Sequence, residues 1–240
     1  LFKILILAAT AVAVGQSCLA RDFAKGRMGE YYAILLAASL GGCLMASAND
    51  LLLFFLAIEF LSLPSYILTA FRKESRAGSE AALKYILYGA AASGLMLFGF
   101  SILYGLTGAT GIREVAAGLE RIFASGRGPE SLAFLAAAFL VLAGFGYKMA
   151  VAPMHFWCPD VYEGAPTPFT AYLSVASKTA GFAIFLRFLN LFHPVPERPG
   201  EFLGLNWDAL VALLAVVTMT LGNLSALYQT NVKRMLAYSS

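Results

Sequence analysis

Five ionisable residues stand inside apolar stretches of this sequence, and each can bind or release a proton. Glu59 lies in "FFLAIEFLSLP", about eight residues into an apolar run, or roughly 12 Å along a helix. Lys148 lies in "AFLVLAGFGYKMAVAPMHFW" (Ala138–Trp157), five residues ahead of Pro153, and Lys178 follows 30 residues later on the next apolar run. Desolvation weakens any lysine's hold on its proton, by up to about 3–5 pKa units when burial is complete, and a nearby carboxylate restores that hold. Glu59 with Lys148 and Lys178 therefore has the makings of a switch, in which moving or protonating the carboxylate releases a proton from the lysine. Static pairing of helices by the same charges is the structural alternative for all three. Lys84 has a surface alternative, an i−4 pair with Glu80 near a helix end. His155 titrates near neutrality and can pass protons, whereas a histidine close to Trp157 also suits a packed, hydrogen-bonded role. Glu30, Asp50 and Asp208 fall at predicted helix starts, where the macrodipole favours acids, and are expected to be caps.

What these groups can do depends on the medium, which composition sets. Of 240 residues 60% are hydrophobic and 13% charged, with mean hydropathy +0.74. Soluble domains carry about 25% charged residues, so this chain cannot cover a water-facing surface and its solvent is lipid. An ionisable side chain at the bilayer centre costs about 2.5–3.5 kcal/mol even on lenient scales, which makes Glu59, Lys148 and Lys178 functional candidates by default. The net charge of +3 and the lack of a dense basic run give no support to a nucleic-acid partner. Cys18, Cys43 and Cys158 lie far apart without a CxxC, so neither zinc nor a disulfide framework is indicated. With no Rossmann glycine pattern, P-loop, haem motif or cysteine cluster, the chain is expected to carry no cofactor and no redox centre.

A membrane-crossing helix needs roughly 20 mostly apolar residues. Seven are predicted, at about 1–20, 31–48, 51–71, 81–106, 131–156, 166–192 and 208–228, and an eighth opens near Asn231. The first imitates a signal peptide, with Lys3, an apolar core and a small-residue end. Lacking an initiator Met and followed by further spans, it reads instead as a membrane helix of an interior portion of a longer polypeptide. "IREVAAGLERIF", between the fourth and fifth spans, has apolar residues at helical intervals and predicts a short interfacial helix. Arg21, Lys25 and Arg27, then Arg72, Lys73 and Arg76, then Lys233 and Arg234 fall on one face, which the positive-inside rule makes cytoplasmic. Arg113, Arg121, Arg127 and Arg198 fall on the other, and the loop with Asp160 and Glu163 breaks the trend by having no Lys or Arg.

Pro64 and Pro153 fall inside predicted spans. A proline removes its own amide and clashes with the carbonyl four residues back, so both are expected to break their helices, with Pro153 freeing the carbonyl of Met149 beside Lys148. Broken helices at membrane depth are tolerated where they are buried in protein or line a wet cavity, and they mark ion sites in transporters. The small residues of "YGAAASGLMLFG" (Tyr88–Gly99) would let helices approach closely. The residues alone support an ion or proton translocator.

Longer strings add a resemblance. "GYKMAVAPMHFWCPDVYEGAPTPFTAYLSVASKTAGF" (Gly146–Phe182) and "LGNLSALYQTNVKRMLAYSS" (Leu221–Ser240) resemble the signatures of the antiporter-like membrane subunits of respiratory complex I. "LAIEFLSLPSYIL" followed by "EAALKYILYGAAASG" resembles NADH-quinone oxidoreductase subunit N most closely. The resemblance implies an all-α polytopic membrane protein, an inverted-repeat helix bundle with discontinuous helices, of which this chain is a fragment with about seven or eight spans. It implies a membrane helix and loop over 1–30, a first five-helix repeat over 31–192 and the start of a second over 193–240. By motif match Glu59, Lys148 and Lys178 fall on the family's glutamate and two central lysines, and Lys84 and His155 on positions of its proton path. The implied activity is proton translocation coupled to quinone reduction elsewhere in the complex, with NADH, FMN, Fe–S clusters and quinone bound by other subunits. The implied partners are other membrane subunits of the complex, including neighbouring antiporter-like ones, and the bilayer, here the bacterial inner membrane, with mitochondrial and thylakoid membranes also open. A subunit of a multisubunit Na⁺/H⁺ antiporter and a scaffold with static buried ion pairs remain the alternatives.

Overall fold

The computed structural model describes residues 1–20, 27–124, 128–189, 201–202 and 205–240. Arg21, Lys25, Arg127, Arg198 and the expected domain boundary at 192–193 lie outside these residues. Among the described residues seven helices are long and apolar enough to cross a membrane. They are α1 (Phe2–Leu19), α2 (Met28–Met45), α3 (Leu51–Thr69), α4 (Arg76–Thr107), α6 (Gly128–Met149), the α8–α9 unit (Thr167–Leu189) and α10 (Trp207–Leu227). Their long apolar runs leave large side chains such as Leu87, Phe98 and Leu213 on the outside, as a helix surrounded by lipid requires. The helical class stands; a small antiparallel hairpin, β1 (Glu201–Phe202) with β2 (Leu205–Asn206), precedes α10.

The connections follow their local chemistry. Asp50 caps α3 by accepting from the amides of Leu52 (2.9 Å) and Leu53 (3.3 Å), which satisfies orphan first-turn donors. Glu30 and Asp208 lie in the first turns of α2 and α10, where they complement the helix dipole, and the cap of α10 is Asn206. Between α4 and α6 the expected interfacial helix forms as α5 (Ile112–Ala124), with Val115 and Leu119 buried and Arg113, Glu114, Glu120 and Arg121 exposed. Glycines set the close approaches. A Cβ at Gly99 of α4 would meet the Ala137 carbonyl of α6 at 2.8 Å, and one at Gly41 of α2 would meet the Leu61 amide of α3 at 2.6 Å.

The two prolines behave differently. Pro64 was expected to break its helix, yet α3 runs on unbroken from Leu51 to Thr69 with Pro64 inside it. One lost hydrogen bond does not end a helix that packs along α2, with Leu61 and Ser65 fully buried. The fifth span was expected to reach residue 156; instead α6 stops at Met149, and Ala150 takes a left-handed φ of 57°. Turns carry the chain past the cis Ala152–Pro153 bond into α7 (Trp157–Gly164), which occupies the stretch expected to be a loop. The chain then re-enters the bundle as α8 (Thr167–Tyr172), a π-helical turn (Leu173–Ser177) and α9 (Lys178–Leu189). After α10, α11 (Val232–Ser239) is the eighth helix expected near Asn231, and it packs against α7 and α10.

Candidate functional site

The break between α6 and α7 is held by three hydrogen bonds that the sequence order does not show. Val151 donates its amide to Gly146 O at 2.8 Å, a wide turn that finishes α6. The Trp157 indole donates to Tyr147 O at 3.0 Å, so a side chain of α7 satisfies a carbonyl at the end of α6. From α10, Thr218 Oγ1 accepts the Ala152 amide at 3.1 Å. Trp157 also stacks on Tyr85 of α4, with centroids 4.6 Å apart and planes 6° apart. Backbone that would be intolerable in lipid is thereby paired inside protein.

Lys148, on the last turn of α6, is 3% exposed. Its Nζ donates to Ser62 Oγ of α3 at 2.9 Å, and Ser62 in turn donates to Ile58 O at 2.6 Å. Glu59 is one turn before Ser62 on the same face of α3, half-buried, and accepts a hydrogen bond from Ser93 of α4. Glu59 and Lys148 make no direct ion pair within 4 Å; Ser62, which takes the Lys148 ammonium, is one turn from Glu59 on α3. Tyr66, one turn beyond Ser62, and Tyr147 both place their hydroxyls in the notch left by Gly89 of α4, where a Cβ would strike them. Glu59, Ser62, Tyr66, Tyr147 and Lys148 thus form a polar seam between α3, α4 and α6.

Lys178 begins α9 directly after the π-helical turn and is 8% exposed. Gly181, one turn on, lies against the stem of Lys148, where a Cβ would be 3.4 Å from its Cγ. Lys178 lines a cavity of about 110 Å³ together with Met149, His155, Cys158, Thr218 and Tyr238. His155 sits on the break, stacked on Phe156 at 4.7 Å, with its buried Nδ1 free of any partner. The residues that line the cavity bring an amine, an imidazole and the Thr218 and Tyr238 hydroxyls to the break, polar groups with which water could pair.

Lys84 stands apart from this seam. Its Nζ pairs with Glu80 Oε1 at 2.9 Å, the expected i−4 contact, and with Asp160 Oδ2 of α7 at 2.7 Å. Asp160 Oδ1 also pairs with Arg234 Nη1 of α11 at 2.5 Å, and Arg234 reaches Glu163 Oε2 at 2.9 Å. Burial raises the Asp160 carboxyl, but its bonds to Lys84 and Arg234 outweigh that and hold it below the usual carboxylate range. The loop with no Lys or Arg of its own is thus neutralised by cations from α4 and α11. Ser62 has no place in the sequence reading, and Asp160 and Arg234 figure there only in the charge pattern of the loops, not as a pair. The i+3 spacing from Glu59 marks Ser62, but nothing local marks the pairing of Asp160, whose partners Lys84 and Arg234 lie 76 and 74 residues from it along the chain. Among the described residues no group of three or more His, Cys, Asp or Glu side chains is placed to hold a metal.

A bundle of spanning helices, one of them interrupted beside a buried lysine, defines a polytopic membrane protein. The chain belongs to the family described as NADH:quinone oxidoreductase/Mrp antiporter, TM, which it matches over residues 48–240. It is 49% identical over its whole length to NADH-quinone oxidoreductase subunit N of an Anaeromyxobacter species, of which it covers 48%. In respiratory complex I from Thermus thermophilus with bound aureothin, a chain 37% identical superposes with a TM-score of 0.77, over 99% of this chain and 47% of that one. A chain of the Mrp complex from a Dietzia species, 26% identical, superposes with a TM-score of 0.79 over 99% of this chain and 24% of that one. The chain spans about half the length of the curated relatives it matches.

Proposed function

We propose that this chain is part of a proton-translocating membrane subunit of an NADH:quinone oxidoreductase, with a membrane helix and loop over 1–30, a five-helix repeat over 31–192 and the opening of a second over 193–240. The observation that carries the reading is Lys148: an almost fully buried amine at a helix break, with a hydroxyl and not a carboxylate as its hydrogen-bond partner. An ammonium locked in a static bridge would sit on a carboxylate, whereas one held by Ser62, with Glu59 at one remove, responds to any change in that carboxylate. A proton leaving Lys148 passes towards Lys178, which with His155 borders the cavity that begins at the neighbouring Met149. Pro153 contributes by ending the helix there; Pro64 leaves α3 continuous. Lys84, paired with two carboxylates, serves to hold helices together before it serves as a carrier. The redox chemistry and its cofactors belong to other subunits, and neighbouring membrane subunits and the bilayer are the partners.

The test is replacement of Glu59, Lys148 or Lys178 by Ala in the assembled complex, with proton pumping and NADH:quinone turnover measured together. Loss of pumping is expected from each, and wild-type pumping from all three would end the reading. A subunit of a multisubunit Na⁺/H⁺ antiporter is the second reading, favoured by the superposition on the Mrp chain. The higher identity to subunit N favours the first, and the subunits that co-purify with the full-length protein decide between them.

A further inference from the structure

The two sequence stretches that carry the family resemblance meet in space at one end of the bundle. From α7 come Asp160 and Glu163; from α11 and its cap come Asn231, Lys233 and Arg234; from α4 come Glu80 and Lys84. Asn231 Nδ2 donates to Glu163 Oε1 at 3.0 Å, while its Oδ1 caps α11 through the Lys233 amide at 2.9 Å. Lys233 Nζ donates to the carbonyls of Glu163 (3.1 Å) and Ala165 (2.6 Å), closing the C-terminal end of α7, where a cation suits the helix dipole. Asp160 reaches both flanks: one oxygen takes Lys84 of α4 and the other Arg234 of α11. Below it the fit is tight, since Gly164 abuts the Ala77 carbonyl of α4.

We propose that Asp160 is a positioning residue that ties the segment after the helix break to α4 and α11 at once, and so fixes the alignment of Lys148 with Lys178. Nothing in its surroundings makes it a proton carrier: it touches no group of the polar seam. It works through covalent neighbours, because α7 begins eight residues after the end of α6 and is followed, through α8 and the π-helical segment, by Lys178. With Asp160 neutral, α7 keeps its ties to α11 through Glu163 and through Lys233 at its C-terminal end, but loses the ion pair with Lys84 that joins it to α4 and is free to tilt away from that helix. The effect on pumping rests on the function proposed above; the effect on α7 itself does not.

Cys158 supplies a native reporter, since it is 1% exposed on α7 and its Sγ lies 3.9 Å from Ala237 O of α11. In the full-length protein within its complex, with Cys18 and Cys43 replaced by Ser, the rate of Cys158 labelling by N-ethylmaleimide reads the opening of α7. Asp160→Asn, which keeps the shape and removes the charge, is expected to raise that rate about tenfold or more, the lower end for a lost charge-assisted hydrogen bond. It should also lower protons pumped per NADH oxidised more than it lowers turnover, and Asp160→Glu should restore both. Unchanged labelling in Asp160→Asn overturns the proposal, and so does faster labelling with an unchanged pumping ratio, which confines the tie to stability. If Asp160→Asn fails to assemble, Lys84→Met carries the same test, and wild-type labelling there overturns it equally. Should Lys148→Ala pump normally while Asp160→Asn still labels faster, the proposed function fails and the seating role of Asp160 stands.

Discussion

Replacing Gly164 by Ala should unseat α7 from α4. A Cβ there would lie 2.6 Å from both the Ala77 carbonyl oxygen and the Ala81 Cβ. Ordinary contact begins near 3.4 Å, so about 0.8 Å of separation must be found. Neither neighbour is the far end of a flexible side chain, so the helices themselves must part. The Lys84–Asp160 bond, at 2.7 Å, bridges the same two helices one turn away. Stretched by a comparable amount it approaches 3.5 Å, beyond a useful hydrogen bond. Overpacking of this kind costs about 1–3 kcal/mol, to which the weakened ion pair adds. In the full-length protein in detergent, the midpoint of thermal unfolding should fall by several degrees, and Gly164→Ala with Ala81→Gly should regain part of the loss by removing one of the two clashes. Gly94, whose added Cβ meets nothing within 4 Å, is the control, and its Ala variant should be neutral or slightly stabilising. A Gly164→Ala midpoint equal to that of the parent would refute the reasoning, because the clash would then be relieved without moving either helix.

Ser62→Ala removes the hydroxyl on which Lys148 rests; protons pumped per electron should drop about tenfold, the scale of a hydrogen bond to a charged group, while Ser62→Thr, which keeps the hydroxyl, retains most of the function. Thr218→Val leaves the Ala152 amide without its acceptor at a cost of about 1–3 kcal/mol, which hydrogen exchange should register as faster exchange across residues 150–156. The junction should also answer to pH in one direction only. Because the folded Asp160 carboxyl titrates below its ordinary value, its contribution is complete above about pH 4 and is lost as the pH falls through the lower folded value. Exchange of α7 amides, corrected for intrinsic rates, should therefore stay constant from pH 7 to about 5 and rise only in stronger acid; a rise already at pH 6 would contradict the assigned partners.

The amino-acid sequence by itself determined the medium, the helices and the costly residues. Composition forces lipid as solvent, apolar length forces spanning helices, and a buried charge is legible wherever a run of apolar neighbours leaves it no route to water. Glu59, Lys148 and Lys178 are visible for that reason, as are the cap at Asp50 and the amphipathic α5, whose causes lie within a few residues. The tertiary structure decided what a local pattern cannot hold. Whether a proline breaks a helix depends on what packs beside it, so Pro64 is absorbed against α2 while the chain around Pro153 turns. Lys148 rests on Ser62 of α3 and Asp160 draws on cations from α4 and α11, because each of these is a contact between segments distant along the chain. Partners of buried polar groups are set by where helices cross, and crossing is a property of packing, not of any one helix.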